Sequence, residues 1–320
     1  MTLTINYRLT APLSHIGETA STGSYFQTIL TSSGRLPVIT ANSVRGQIRD
    51  SGATHLLDTL GVKVDKEIFH ALFSGGNLSG TMRNDIEKTK KVRQLFPLVS
   101  VLGGGLGDII LAGKMNITFA YPICEESEEI TNIPSNLSWH KLIEEMEFTR
   151  TDDSKNDKLA KYIENMEAEN SAKASTQMRY SVQYMAAGTE LIQKINLINA
   201  NDLEIGALLT AIKTWFKNPT LGGMANKGFG FFNADVDSDL DSVFISVEDG
   251  QFRDSEICNT LITEYESYII ANTTDIVKNI NLLKAGGATK KDGKKANSAV
   301  ESDGEADGWA DQQFGFDSDV

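Results

Sequence analysis

The sequence predicts an α+β sandwich. Residues 3–10 alternate apolar and polar side chains, which is typical of a half-buried strand. Residues 203–217 place apolar side chains mostly at helical spacing behind a cap at Asn201 or Asp202. The predicted order along the chain is strand, helix, strand, insertion, strand, helix, glycine-rich loop and strand. That order is typical of a modified RRM or ferredoxin-like core with helical additions.

Capping residues, periodicity and chain breakers predict the other elements. Helices begin after Asn, Ser or Asp, strands alternate polar and apolar residues, and glycines mark breaks. The predicted elements are a long loop (11–36), a helix capped by Asn42 or Ser43 and ending near Leu60, a short helix capped by Asp65, a strand (114–121), a hairpin arm broken at Gly188 (177–198), a strand (229–236) and a helix (254–283).

Composition predicts where this core is interrupted. Residues 125–176 are highly charged, contain a predicted amphipathic helix near 155–168, and are interpreted as an insertion. Residues 1–124 and 177–285 then form the core. Residues 286–320 are acidic and of low complexity, which predicts disorder because such a segment buries too little apolar surface.

The overall charge argues against nucleic-acid binding unless cations cluster locally. The 320 residues carry a net charge of −13, and phosphate contacts need Lys or Arg. Two distant cysteines argue against a disulfide framework and favour a reducing, cytoplasmic location. No apolar run is long enough to span a membrane, and the N-terminus does not resemble a signal peptide. The four histidines are not at metal-ligand spacing, so no metal and no cofactor is expected.

Two basic groups are candidate phosphate-binding sites. Ser43, Arg45 and Arg49 lie at a helix start, where free N–H groups favour an anion and the two arginines share one face. A solvated helix face is the alternative for these arginines. The densest cationic stretch in the body of the chain is the second group, and it has the same alternative. It contains Lys88, Lys90, Lys91 and Arg93.

Two further segments combine cations with aromatic or polarizable side chains. The run 227–231, Lys-Gly-Phe-Gly-Phe, matches the opening of the RNP1 signature and follows a glycine-rich loop ending in Asn226 and Lys227. Core phenylalanines are the alternative there. Met178 and Arg179 precede Tyr180 and are candidates to wedge against a base, with a buried methionine as the alternative.

Five segments in order resemble the RAMP superfamily of CRISPR proteins. Together they span about residues 3–236. They are the opening 9–17 with His15-Ile16-Gly17, the helix entry 36–49 in which Ala41-Asn42 replaces the usual Gly-Ser, the turn 103–108, the strand segment Ala187-Gly188-Thr189-Glu190, and the loop 221–230.

This resemblance implies a non-catalytic, guide-RNA-binding backbone subunit of an effector complex, of a type IV-like or type I-like kind. Ser43, Arg45 and Arg49 would hold guide phosphates. The insertion 125–176 would be a thumb, with Met178 and Arg179 as its wedge. The implied partners are the CRISPR guide RNA, target DNA rather than RNA, further copies in a helical filament, and other effector subunits.

The resemblance also implies where catalysis would be found. RNA-cleaving relatives place an aspartate between the first strand and the first helix, and this chain has no Asp or Glu from Thr19 to Thr40. No cleavage of target RNA is therefore expected. The alternative is a guide-processing endoribonuclease in which His15 is the general acid or base and Lys227 or Arg45 stabilises the phosphorane. An unrelated α+β interaction protein is a third possibility.

Overall fold

The computed structural model describes residues 1–19, 23–78, 85–107, 109–150, 178–239 and 243–284 of the chain. The strands are β1 (Thr2–Leu9), β2 (Ile16–Thr19), β3 (Gly23–Phe26), β4 (Thr28–Thr31), β5 (Gly34–Pro37), β6 (Gly76–Leu78), β7 (Gly104–Gly107), β8 (Ile109–Leu111), β9 (Met115–Ile117), β10 (Tyr121–Pro122), β11 (Ile143–Arg150), β12 (Met178–Met185), β13 (Glu190–Leu197), β14 (Phe232–Ser238), β15 (Phe244–Glu248) and β16 (Gln251–Asp254). The helices are α1 (Ala41–Leu60), α2 (Lys66–Phe73), α3 (Ile86–Leu95), α4 (Pro97–Leu102), α5 (Glu128–Thr131), α6 (Asp202–Trp215), α7 (Glu256–Ala271) and α8 (Thr273–Asn279). The predicted helix near 155–168 and the predicted tail 286–320 lie outside the described residues.

The central sheet has the strand order of a ferredoxin-like core. Its order is β10-β13-β1-β14-β15-β16, with β9 also paired to β13, and every pairing is antiparallel. Helix α1 separates β1 from β9 and β10, and α6 separates β13 from β14. The fourth, first, third and second core strands therefore lie side by side, as two interleaved βαβ units require. The predicted α+β fold is confirmed.

Large side chains fill the layer between this sheet and its helices. Tyr7, Trp215 and Phe232 are almost fully buried, and their rings meet at 5.2–6.2 Å in tilted or edge contacts. The hydroxyl of Tyr7 donates to Gln193 Oε1 at 2.8 Å, which satisfies a buried polar pair. On the other side of α6, a Cβ at Gly206 would clash with the carbonyl oxygen of Leu261. Glycine is needed there because α6 and α7 approach so closely.

The prediction of a loop over residues 11–36 is wrong. This segment forms two hairpins, β2–β3 and β4–β5. All four residues of β2 are exposed, and β4 is at best half-buried, so neither strand shows the apolar alternation from which strands are predicted. The hairpins lie at the surface, where pairing rather than burial holds the backbone.

Other boundaries differ from the predictions for local reasons. Thr40, not Asn42 or Ser43, caps α1 and accepts a hydrogen bond from Ser43 N. The strand predicted at 114–121 is interrupted and forms β9 and β10. The last core strand begins at Phe232 rather than Phe229, because the backbone carbonyl of Phe231 turns to accept hydrogen bonds from residues 10 and 11.

Smaller sheets surround the core. One has the order β11-β12-β3-β2, with β12 and β3 parallel, and another is the three-stranded β6-β7-β8. The predicted break at Gly188 within 177–198, a segment expected to form one long strand or a hairpin arm, is confirmed, but the two strands on either side, β12 and β13, pair in different sheets. No helix in the described ranges is long and apolar enough to cross a membrane.

Candidate nucleic-acid interface

The glycine-rich loop between α6 and β14 folds back on the segment that follows β1. Gly223 N donates to the carbonyl oxygen of Ser14 at 2.7 Å, and Gly230 N donates to that of Pro12 at 2.7 Å. Gly222 and Gly230 have positive φ, and a Cβ at either position would clash with a backbone carbonyl oxygen. Only glycine fits these two positions. The loop is therefore held in one shape, with its tip at Asn226 and Lys227 exposed.

Lys227 at this tip lies against two stacked aromatic rings. Its Nζ is 3.1 Å from the hydroxyl oxygen of Tyr180 on β12, 5.4 Å from the centre of that ring and 5.6 Å from the Phe148 ring on β11. The Phe148 and Tyr180 rings stack at 5.2 Å and 15°. Their backbones face each other across the β11–β12 ladder. We call Phe148, Tyr180 and Lys227 the aromatic–lysine junction.

Phe229 packs against the aromatic rings of the junction. It is 5% exposed, and its ring meets those of Phe148 and Tyr184 at 6.4 and 6.3 Å. Phe231 is 37% exposed beside it. The RNP1-like run is thus a loop that packs on β11 and β12, and it does not lie on the open face of the central sheet.

That open face is poorly suited to nucleic acid. On its central strands β1 and β14 the outward positions include Asn6 opposite Asp235 and Thr4 opposite Asp237. Burial raises the pKa of Asp237, and the neighbouring Asp235 raises it further. Carboxylates here repel phosphate, and no aromatic side chain occupies these central positions for base stacking.

The two arginines of α1 bind the end of another helix. Arg45 and Arg49 both donate to the carbonyl oxygen of Leu102, the last residue of α4, and Arg49 Nη2 also donates to that of Gly103 at 2.9 Å. Arg49 is 7% exposed, and burial together with the charge of Arg45 lowers its pKa to about 10. Phosphate binding by Arg49 stays a prediction that this geometry does not favour. Arg45 and Ser43 are half-buried and remain accessible.

Of the four predicted basic residues on α3, two bind groups of the protein itself and two are exposed to solvent. Lys88 Nζ lies 3.3 Å from the carbonyl oxygens of Leu106 and Lys284. Arg93 donates to Ser100 Oγ at 2.9 Å and to the carbonyl oxygen of Ala112 at 2.8 Å. Lys90 and Lys91 are exposed, and Lys90 pairs with Glu87. Of the four residues predicted to contact phosphate, these two lysines therefore have charged groups at the protein surface.

The structure brings together only part of the predicted set. Lys227 meets β12, the strand that also contains Met178 and Arg179, and Asn226 precedes it at the exposed loop tip. The side chains of Met178 and Arg179 lie outside what the structure describes. Phe148 was not predicted, because its strand is charged and only its pairing with Tyr180 makes it part of a site.

His15 joins the glycine-rich loop to the start of α1. Its Nε2 accepts a hydrogen bond from Thr40 N at 3.1 Å, while the preceding residue, Ser14, accepts from Gly223. Burial lowers the pKa of His15, which keeps the ring neutral near pH 7. To accept a proton from a 2′-hydroxyl, Nε2 would first have to release Thr40. This arrangement favours a structural role over general-base catalysis.

This bond predicts a pH dependence of stability. The folded-state pKa of His15 is lowered, so its contribution is complete above the unfolded value of about 6.5 and is lost as pH falls below it. We expect His15→Gln, which keeps an acceptor for Thr40 N–H, to lose less stability than the wild type between pH 7.5 and 5.5. The measurement is urea unfolding at both pH values. Equal losses would contradict the assignment, and His55, whose pKa burial also lowers, cancels in the comparison.

Known proteins resemble this chain in sequence family and in fold. The sequence model of the RAMP superfamily matches residues 7–233. A structure titled "Type IV-B CRISPR Complex" contains a chain with a TM-score of 0.54 and 15% identity, covering 75% of this chain and 91% of that one. Cmr6 from Pyrococcus furiosus gives a TM-score of 0.37 and 12% identity, covering 72% and 97%. No curated protein matches the sequence.

Proposed function

The chain belongs to the RAMP superfamily, and we propose that it is a non-catalytic subunit of a CRISPR effector complex that binds the guide RNA. The observation that carries this proposal is the aromatic–lysine junction of Phe148, Tyr180 and Lys227. A cation beside stacked aromatic rings suits a single strand, because every base has a face that stacks and every nucleotide has a phosphate.

The position of the junction also supports this proposal. It lies where the rigid glycine-rich loop meets β11 and β12, so a strand held there passes between the core and the paired strands. We propose that the core, 1–124 and 177–285, is the palm and that 125–176 is the thumb. Strand β11 belongs to the thumb, and β12 continues into the palm.

Acidic composition does not exclude a local binding site, because the net charge does not fix where the charges lie. The carboxylates of Glu190, Asp235, Asp237 and Glu248 lie on or beside the open face of the central sheet, where Arg8 pairs with Glu248. The exposed ammonium of Lys227 lies on the loop that precedes β14. It offers a phosphate a local cation at the junction, so the net charge of −13 does not exclude binding.

The proposal that the subunit catalyses no reaction rests on two observations. His15 accepts the backbone N–H of Thr40, which leaves it poorly placed as a general base. The sequence from Thr19 to Thr40, which follows Glu18 on β2, contains no Asp or Glu. These features support guide holding over guide processing.

We further propose how the subunit assembles. Several copies would stack head to tail along the guide, because a heterologous contact repeats without closing into a pair. The guide would present its bases to target DNA, so that base pairing reads sequence while the protein holds the backbone. Other effector subunits would join this filament in the cytoplasm.

Expression of the chain together with a CRISPR array tests this function. We expect the purified protein to carry RNA of a fixed length and to migrate as a particle far larger than its 35.0 kDa chain. RNA extraction and light scattering measure both. A monomer that carries no RNA under these conditions would contradict the proposal, and cleavage of the array transcript by the chain alone would favour the endoribonuclease.

A further inference from the structure

A second concave surface lies beside β12. It is a groove of about 470 Å³ between the hairpin β2–β3 and the hairpin β4–β5. Gly17 on β2 forms part of its floor, where a Cβ would clash with the side chain of Gln27. The volume falls within the range of about 300–1,000 Å³ that is typical of ligand sites.

The groove is separate from the aromatic–lysine junction. Successive side chains of a strand point to opposite faces of the sheet. On β12, Tyr180 and Tyr184 face Lys227 and Phe229 of the glycine-rich loop. Gln183, on the alternate face, lines the groove, and its Oε1 accepts a hydrogen bond from Phe26 N at 3.1 Å. The junction and the groove therefore lie on opposite faces of β12.

Three side chains in the groove have complementary chemistry. Tyr25 is 43% exposed and offers an aromatic face. Arg35 is exposed, and no carboxylate in the described ranges pairs with it. Glu18 lies directly opposite Tyr25 in the β2–β3 ladder. A stacking ring, a free cation and an acceptor-only carboxylate thus surround one space.

From this geometry we propose that the groove binds one nucleotide of the strand and prefers guanine over uracil. The base stacks on Tyr25, and Arg35 contacts its phosphate. Glu18 accepts hydrogen bonds from amino and imino hydrogens on the Watson–Crick edge. Guanine presents two adjacent donors to a carboxylate, whereas uracil presents one donor between two acceptors. This proposal rests on the RNA-binding function and adds to it one nucleotide whose Watson–Crick edge contacts the protein and does not pair with the target.

Glu18 explains why a nucleobase, rather than a phosphate, would face the β2–β3 side of the groove. A carboxylate repels phosphate but accepts donors from a base, as in carboxylate contacts to cytosine N4. Arg35 on β5 supplies the cation on the other hairpin. The two hairpins therefore present opposite charges to the two ends of one nucleotide.

Anisotropy with two labelled 12-nucleotide RNAs tests the proposal. One is oligouridine and the other repeats UUG four times. We expect the wild-type full chain to bind the UUG strand about tenfold more tightly, as one bidentate base contact gives. Glu18→Gln should abolish this preference, and Tyr25→Ala should weaken both strands about tenfold. The matched control is Glu144→Gln, which removes an exposed carboxylate from β11 and should keep the preference.

The outcomes separate this proposal from the one on which it rests. Equal wild-type affinity for the two RNAs, or a preference that survives Glu18→Gln, overturns the guanine subsite. If Lys227→Ala weakens binding in that same experiment, RNA binding at the junction stands without the subsite. A wild type that binds neither RNA overturns both. If Tyr25→Ala changes only the mass of the assembled particle, the groove is a contact between copies and the proposal fails.

Discussion

Glu204→Ala should lower the free energy of unfolding by about 3–5 kcal/mol, the largest stability effect that we expect of a single substitution in this chain. Glu204 is 2% exposed and receives three hydrogen bonds on its carboxylate. The donors are Ser100 Oγ at 2.6 Å, Lys114 Nζ at 2.7 Å and Asn201 N at 2.9 Å. Alanine would leave all three without this partner.

The charge state of Glu204 supports this expectation. Burial alone would raise its pKa, but the hydrogen bonds from Lys114, Ser100 and Asn201 outweigh it and hold the pKa below the usual value. A depressed folded-state pKa means that the stabilisation is present above the unfolded value and is lost as pH falls through the folded one. The substitution also removes half of the capping box, the hydrogen bond from Asn201 N, whereas Asn201 Oδ1 still accepts from the backbone N of residue 204.

Urea unfolding at pH 7 measures the effect. Glu264→Ala is the matched control, because Glu264 is exposed on α7 and its loss should change stability by less than about 0.5 kcal/mol. Glu204→Gln should fall between the two, since it keeps the shape and loses the charge. A Glu204→Ala protein as stable as the control would show that this network does not hold α4 and α6 together.

This network explains why the sequence overestimated the basic surface. Arg93 appeared to be part of a cationic stretch, but it donates to Ser100, which in turn donates to Glu204. Arg45 and Arg49 bind the carbonyl oxygens at the end of α4. Spacing along a helix shows which side chains share a face, but it does not show whether another helix end lies against that face.

The core was predictable because its signals are local. Alternation in β1 and the capping signal at Asn201 each lie within a few residues, and the βαβ order follows from them. The surface hairpins between Ile16 and Pro37 were not predictable, because one strand of each hairpin, β2 or β4, has no buried residue. Pairing held by backbone hydrogen bonds leaves little pattern in the side chains.

The candidate site was likewise predictable from the sequence only in part. The glycine-rich loop and Lys227 were visible in the sequence, since glycine spacing and a lone exposed cation are local features. The stacked partners Phe148 and Tyr180 lie on strands that pair through the register of β11 and β12. Groove residues Glu18 and Arg35 come from different hairpins. Long-range pairing of this kind is not encoded in any one window of sequence.

Lys227→Glu should lower the affinity for single-stranded RNA by roughly 100-fold at low salt. The substitution removes the cation beside the Phe148 and Tyr180 rings and places a carboxylate where a phosphate is expected. The loss should be similar for different base sequences, because the lysine contacts the backbone of the nucleic acid. The slope of affinity against salt should also fall by about one phosphate contact.

Folding should be unaffected because Lys227 is exposed at the loop tip, so the melting temperature serves as a check. The matched control is Lys66→Glu. Lys66 is equally an exposed lysine, but it lies at the start of α2 and belongs to no candidate site. We expect the control to change RNA affinity by no more than about threefold, an effect of net charge alone.

The ratio of the dissociation constants of Lys227→Glu and Lys66→Glu for the same single-stranded RNA is therefore the most direct test of RNA binding at the junction. A ratio of roughly 30 or more is the result expected if the strand crosses the rings of Phe148 and Tyr180 beside Lys227. A ratio near one, with wild-type folding in both variants, would contradict the junction as the RNA-binding site.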